Sequence, residues 1–367
     1  MLRLEKRPQP SKVWIYASPL LAVVITILLG GVLFWLLGKD PVAATRMIFW
    51  DPIFGDFAAF YLPELLIKAA PLILIAIGLS FGFQAGIWNI GAEGQYIIGA
   101  ICAAGVALAF YPLDARWLIF PLMIVAGIAG GVVWALIPAL LRVYFKTNEI
   151  LVSLMLVYVA EVLINAFSVG LLRNPDGMGF PGSRSLKQYP AAHNGDLFPN
   201  LGSFGSGIHW GVITAIFAVI VAYVFLTRHR FGFNVRLAGQ SPRAAAFSGV
   251  NPNRLVILCM VLSGGLAGIA GMFEVAGPSG QILGSFPAYY GFTAIIVAFL
   301  GRLHPIGVML AGLLMALTYI GGDAALQPLQ LPSASIQVFQ GMLLFSLLSV
   351  DVLTNYRVRV TAGKVVA

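Results

Sequence analysis

The chain has 367 residues, 59% of them hydrophobic and 10% charged, with a mean hydropathy of +0.92. A soluble domain carries about 25% charged residues, so the composition excludes a soluble protein and specifies a membrane one. The net charge of +8 is no nucleic-acid signal, because the basic residues gather at helix ends and in a few loops, where they report topology.

A spanning helix needs about 20 mostly apolar residues. That test predicts ten helices, over 13–37, 62–83, 94–111, 117–141, 150–172, 210–227, 255–276, 290–301, 305–322 and 335–350. The expected fold class is an all-α polytopic membrane protein, a single transmembrane domain over 1–367. The first run follows a basic start (Arg3, Lys6, Arg7, Lys12) like a signal peptide. Its about 25 apolar residues exceed the roughly 7–15 of a signal h-region, so it is read as a retained spanning helix. The run 290–301 is too short to span alone and is expected as a half-helix, as in discontinuous transporter helices. Trp14, Trp117 and Trp210 sit near helix ends as interfacial aromatics do.

With ten helices the basic segments all fall on one side. They are the N-terminus, the loop 142–149 with Arg142 and Lys146, the loop 228–254, and the tail with Arg357, Arg359 and Lys364. The bias of Lys and Arg makes that side the cytoplasm. The opposite loops are 38–61, 112–116, 173–209, 277–289 and 323–334. The longest of them, 173–209, is rich in Gly, Pro, Ser and Asn and is expected to form turns or a short helix.

Glu64 and Lys68, spaced i,i+4 at the start of the second helix, are expected to form an interfacial ion pair. That helix runs into the most informative stretch, Phe83-Gln84-Ala85-Gly86-Ile87-Trp88-Asn89-Ile90-Gly91-Ala92-Glu93-Gly94-Gln95. It is polar and glycine-rich between two apolar runs, and lipid does not tolerate such a break unless protein or a water-filled path surrounds it. Gln84, Asn89, Glu93 and Gln95 are therefore candidates for a translocation path. A second account stays open, in which they cap half-helices and seal the break, with Glu93 near the positive N-terminus of the helix starting at Gly94. Gly82-Phe83-x-Ala85-x-Ile87 recurs as Gly291-Phe292-x-Ala294-x-Ile296, as an inverted repeat would give. Gly127/Gly131, Gly264/Gly268 and Ala267/Gly271 have the small-xxx-small spacing of close helix contacts, which an apolar Gly-rich chain also produces by chance.

Ser153, Val157, Glu161, Asn165 and Ser168 share one face of the helix 150–172. An acid at a helix middle costs about 2.5–3.5 kcal/mol on insertion scales, so this stripe is expected to face the bundle interior. Solute contact and helix–helix glue both remain open for it. Arg302 and His304 mark an inner turn, as snorkelling or docking groups.

The loop 228–254 carries Arg228, Arg230, Arg236, Arg243 and Arg254 and no acid. Within it Ser241 suits an N-cap and Pro242 the first helical position. Arg243, Ala244 and Ala245 open a helix-forming run to Ser248, and Gly249 suits the C′ position. A short capped helix flanked by Arg fits a docking element for a cytoplasmic partner; a surface helix held by anionic lipid is the plainer account. There is no G-x-x-x-x-G-K-[ST] loop, HExxH or GxSxG. The two cysteines, Cys102 and Cys259, lie in apolar runs without metal-ligand spacing. Neither a catalytic residue nor a cofactor or metal is expected.

The run Phe83-x-x-Gly86-Ile87-x-Asn89-Ile90-Gly91-Ala92-Glu93-Gly94-Gln95 resembles the signature of permease subunits of bacterial nucleoside ABC importers, within the ribose and branched-chain amino acid permease superfamily. Three further stretches match in order: Asn148-Glu149-Ile150 through Leu156; Arg230-Phe231-Gly232 through Ala245 and Ser248-Gly249; and Tyr290-Gly291-Phe292 through Arg302 and Pro305. Val157 departs from the family's common Asn, which leaves the solute open. The resemblance implies a ten-helix permease in the bacterial inner membrane. It also implies a cytoplasmic ABC ATPase docked on the loop 228–254, an extracytoplasmic solute-binding protein and a second permease subunit. Transport would be alternating access to nucleosides, with a simple sugar or other small polar solute as the alternative. A secondary transporter using Glu93 or Glu161 as an ion site fits less well, because it needs no docking helix; a membrane enzyme lacks a catalytic constellation.

Overall fold

The computed structural model describes residues 2–6, 12–111, 113, 115–186, 208–286, 289–332 and 334–360. In chain order, β1 (Leu2–Lys6) and α1 (Lys12–Leu36) precede two short helices, α2 (Pro41–Phe49) and α3 (Asp51–Phe54). Then come α4 (Ala58–Gln84), α5 (Ala92–Ala109), α6 (Arg116–Phe145) and α7 (Glu149–Val169). After the long loop stand α8 (Trp210–Thr227), α9 (Arg230–Gln240), α10 (Pro242–Phe247) and α11 (Pro252–Ala276). The chain closes with α12 (Tyr290–Leu300), α13 (Pro305–Leu329), α14 (Ala334–Asn355) and β2 (Tyr356–Val360). All ten expected helices are present, several extended by a turn. Among the described residues eight are long and apolar enough to cross a membrane, and Tyr290–Leu300 and Ala334–Val350 are shorter apolar helices.

Two compact units divide the chain, residues 1–56 with 317–367, and residues 57–316. In the first, α1 packs on α14 and Phe34 stacks on Phe339 with centroids 6.4 Å apart. Ala44, Ile48, Ala325 and Leu331 complete that core. Asp40 starts α2 by accepting the Val42 N–H, with Pro41 in the first turn. β1 and β2 pair antiparallel, Leu2 opposite Val360 and Lys6 opposite Tyr356.

The second unit is built on α4, α5, α6 and α11. Gly127 and Gly131 on α6 lie against Gly264 and Gly268 on α11, where a Cβ would strike backbone. Gly271 packs on the Tyr96 backbone of α5 in the same way. The small-xxx-small pairs are therefore real helix contacts, and van der Waals packing between bare backbones holds the bundle.

Of the long loop 173–209, residues 187–207 lie outside the described residues. Its described start is turned, and it hydrogen-bonds the segment after α11: Ser183 N donates to Ile282 O at 2.9 Å and Leu186 N to Gly280 O at 2.7 Å. His209 caps α8 by accepting the Gly211 N–H at 3.0 Å on Nδ1. It stacks on Phe273, and burial holds its pKa down to about 4.

Candidate functional site

Gly86, at φ +73°, turns the chain out of α4, and residues 85–91 run without helix to Gly91, the N-cap of α5. Asn89 and Gln95 satisfy this stretch. Asn89 Nδ2 donates to Gln95 Oε1 at 2.9 Å, and Gln95 Nε2 returns a bond to Asn89 Oδ1 at 3.1 Å. Asn89 also donates to Ser263 Oγ on α11 and accepts the Gly91 N–H. Ser153 Oγ on α7 accepts the Ile90 N–H at 3.3 Å. Asn89, Gln95 and Ser153 are all buried, and in this conformation their polar groups are bonded to one another, to Ser263 and to the backbone of the break.

Glu93 is fully buried in the first turn of α5, where the sequence places it, but its hydrogen bonds go to another helix. The carboxylate does not serve its own helix. Oε1 accepts the Tyr289 N–H at 3.0 Å and Oε2 the Gly291 N–H at 2.5 Å, so Glu93 caps the first turn of α12 from another element. Tyr289, the N-cap residue there, has no capping side chain and sits at φ +57°. A buried carboxylate on open N–H groups at a helix N-terminus is charge-assisted and dipole-favoured. Gly291 must be glycine, because a Cβ would run into the Glu93 backbone.

The other end of α12 is held from the same break. Gln84 Nε2 donates to Leu303 O at 2.7 Å, in a turn where Arg302 and Leu303 both take positive φ. Between the two clasps, Phe299 stacks on Phe83 at 5.2 Å and on Trp88 at 5.8 Å. Break and half-helix thus form one strut.

Lys68 also differs from expectation. Among the described ion pairs none joins it to Glu64. Lys68 Nζ instead donates to Tyr290 Oη at 2.7 Å and acts electrostatically on the buried Glu274 of α11. A spacing of four residues allows an intrahelical pair, but burial at the start of α12 offers Lys68 a better-shielded partner.

The α7 stripe is graded in exposure. Ser153, Val157 and Ser168 are buried, Glu161 is half-buried and Asn165 is exposed. Gly284 packs on the Asn165 amide, and Glu161 lies near enough for its charge to act on Glu93.

The Arg-rich loop holds two helices. Sequence reasoning missed α9, whose signals were His229, which caps it on the Phe231 N–H, and the apolar Phe231 and Val235 one turn apart. It is bound into the second unit: Phe231 packs on Phe81, Arg236 donates to Leu226 O, and Gly239 lies on the Gln84 carbonyl. Helix α10 has the anticipated ends. Ser241 Oγ accepts the Ala244 N–H at 3.4 Å, with Pro242 at the first position. Val250 N donates to Ala245 O and Gly249 N to Ala246 O, with Gly249 at φ +80°, which is a Schellman ending. Ala245 is buried, Ala244 half-buried, and Arg243 and Ser248 exposed. Phe247, not singled out beforehand, is 94% exposed.

The family described as branched-chain amino acid transport system / permease component matches residues 61–348. A glucose ABC transporter permease protein of Haloferax volcanii is 33% identical over 94% of this chain and 90% of its own. A guanosine ABC transporter permease protein of Bacillus subtilis is 28% identical over 95% of this chain and 97% of its own. A nucleoside ABC transporter permease protein of Lactococcus lactis subsp. cremoris is 29% identical over 83% and 82%.

Proposed function

The chain belongs to the family of branched-chain amino acid transport permease components, and from that premise we propose that it carries nucleosides across the cell membrane, driven by a separate ATPase. It is a multi-pass membrane protein. In this reading the Arg-rich face, with both chain ends, is cytoplasmic, and α10 seats in the ATPase through Arg243 and Phe247. A second permease subunit and an extracytoplasmic binding protein complete the importer.

The observation that carries the reading is the strut. α9 rests on Gln84, Gln84 holds the turn after α12, and Glu93 holds the start of α12 beside the α7 acid. A displacement of the docking loop therefore has a packed route to a polar level inside the bilayer, which alternating access requires. The nucleoside assignment is supported by the Asn89–Gln95 run and by the guanosine and nucleoside relatives. The glucose relative favours a simple sugar as the second reading.

Uptake of radiolabelled uridine and adenosine in cells with and without this gene tests the proposal. Loss of uptake on deletion, indifferent to ribose, supports the nucleoside. Unchanged nucleoside uptake with lost glucose uptake moves the protein to the sugar reading.

A further inference from the structure

α12 has 11 residues, about 16 Å at 1.5 Å per residue, roughly half of a hydrocarbon core of about 30 Å. With its C-terminal turn at the inner boundary that the permease reading gives Arg302, its N-terminus would lie about midway through the bilayer. At that level stands Tyr289, 48% exposed, held in a left-handed conformation by its N–H bond to Glu93. Such a conformation is strained for a bulky residue and collects at functional sites. Its ring stacks on Phe292, centroids 6.4 Å apart. The segment leading to it lies across Asn165 at Gly284, and Glu161 is one turn from Asn165 on the same stripe. A half-buried acid within the span, as Glu161 is, faces water or protein, not lipid.

We infer that Tyr289 is a stacking platform for the transported solute, with Glu161 and Asn165 binding its hydroxyl groups, and that the solute is an uncharged, hydroxyl-bearing ring compound. This rests on the permease reading. The ring offers a face to a nucleobase or to the apolar side of a sugar. The Glu161 carboxylate, near enough for its charge to act on the Glu93 that holds Tyr289, accepts strong bonds from hydroxyls. Anions are refused, because Glu93 already fills the half-helix N-terminus that would attract them and Glu161 repels them.

The test uses cells carrying the complete transporter and the variants Tyr289→Phe, Tyr289→Asn and Glu161→Gln. Asn tolerates the left-handed backbone while removing the ring. Labelled uridine and glucose are offered, with uridine 5′-monophosphate as competitor. Stacking worth about 1–3 kcal/mol per base predicts that Tyr289→Asn raises the half-saturating solute concentration, and so lowers uptake at sub-saturating solute, about tenfold. Its membrane abundance and ATPase co-purification stay normal. Tyr289→Phe stays within twofold, Glu161→Gln falls, and the monophosphate does not compete. Which of uridine or glucose enters identifies the source of the hydroxyls. Wild-type rates in Tyr289→Asn, or equal losses in Tyr289→Phe, overturn the platform alone. A wild-type protein that moves neither solute overturns the solute class and the proposed substrate together.

Discussion

Glu93 and Tyr289, 196 residues apart in sequence, are joined by a 3.0 Å hydrogen bond from the Tyr289 N–H to the Glu93 carboxylate. With its second oxygen on Gly291, one side chain on α5 defines where α12 begins. Glu93→Ala leaves one buried and one part-buried donor without their acceptor. At about 1–3 kcal/mol for each such group, it is expected to lower the thermal midpoint in detergent sharply. Glu93→Gln keeps one acceptor oxygen and loses about half as much. Equal midpoints for wild type and alanine variant would remove the cap.

Gln84 is expected to matter for coupling more than for assembly. Gln84→Leu removes the bond to Leu303 O at a part-buried site, about 1 kcal/mol of stability. Uptake should drop at least fivefold while the ATPase still co-purifies. Uptake at the wild-type rate would show that α12 is not driven through this contact.

The exposed face of α10 is the expected ATPase contact. Phe247→Asp and Arg243→Glu should each abolish co-purification of the ATPase without lowering the amount of permease in the membrane. Ala245→Glu is a poor test of the same idea, because Ala245 is buried and a charge there unfolds the helix from within. Pull-down of the ATPase by the Phe247→Asp variant decides the matter.

The ends of α10 can be weakened separately. Gly249→Ala forces a Cβ into φ +80°, at about 1–2 kcal/mol. Ser241→Ala removes the N-cap, at about 1 kcal/mol. Both should raise amide exchange across 242–248 and reduce transport in proportion, with no change elsewhere.

How far the sequence told this in advance depended on range. Ser241, Pro242 and Gly249 gave α10 its ends because capping is a local event. Asn89 and Gln95 marked the break because polarity between apolar runs is visible in a single pass. The partner of Glu93 was not legible, since nothing local distinguishes a cap on α5 from a cap on α12. Lys68 was misassigned for the same reason: Tyr290, its acceptor, is 222 residues away. Phe247 escaped notice because exposure is a property of the fold, and an aromatic in an apolar chain carries no mark of facing out.

His209 supplies a pH test. Its folded pKa is about 4 against an unfolded value near 6.5, so the unfolded chain takes up the proton first. The His209 contribution to stability is complete above about pH 6.5. It falls as pH drops towards 4, by on the order of 3 kcal/mol in total. His209→Gln should flatten the stability profile between pH 4 and 6.5. An unchanged profile would place the acid sensitivity elsewhere.

The pairing of β1 with β2 has a consequence for engineering. Leu2 lies opposite Val360 and Lys6 opposite Tyr356, so the strands are arranged as a β-hairpin severed at its tip. A tight turn of a few residues suffices to rejoin such strands. Joining Val360 directly to Leu2 through a short Asn-Gly turn, with the chain opened in an exposed loop elsewhere, is therefore compatible with the observed register. A reporter split between Leu2 and Val360 would find its halves already side by side.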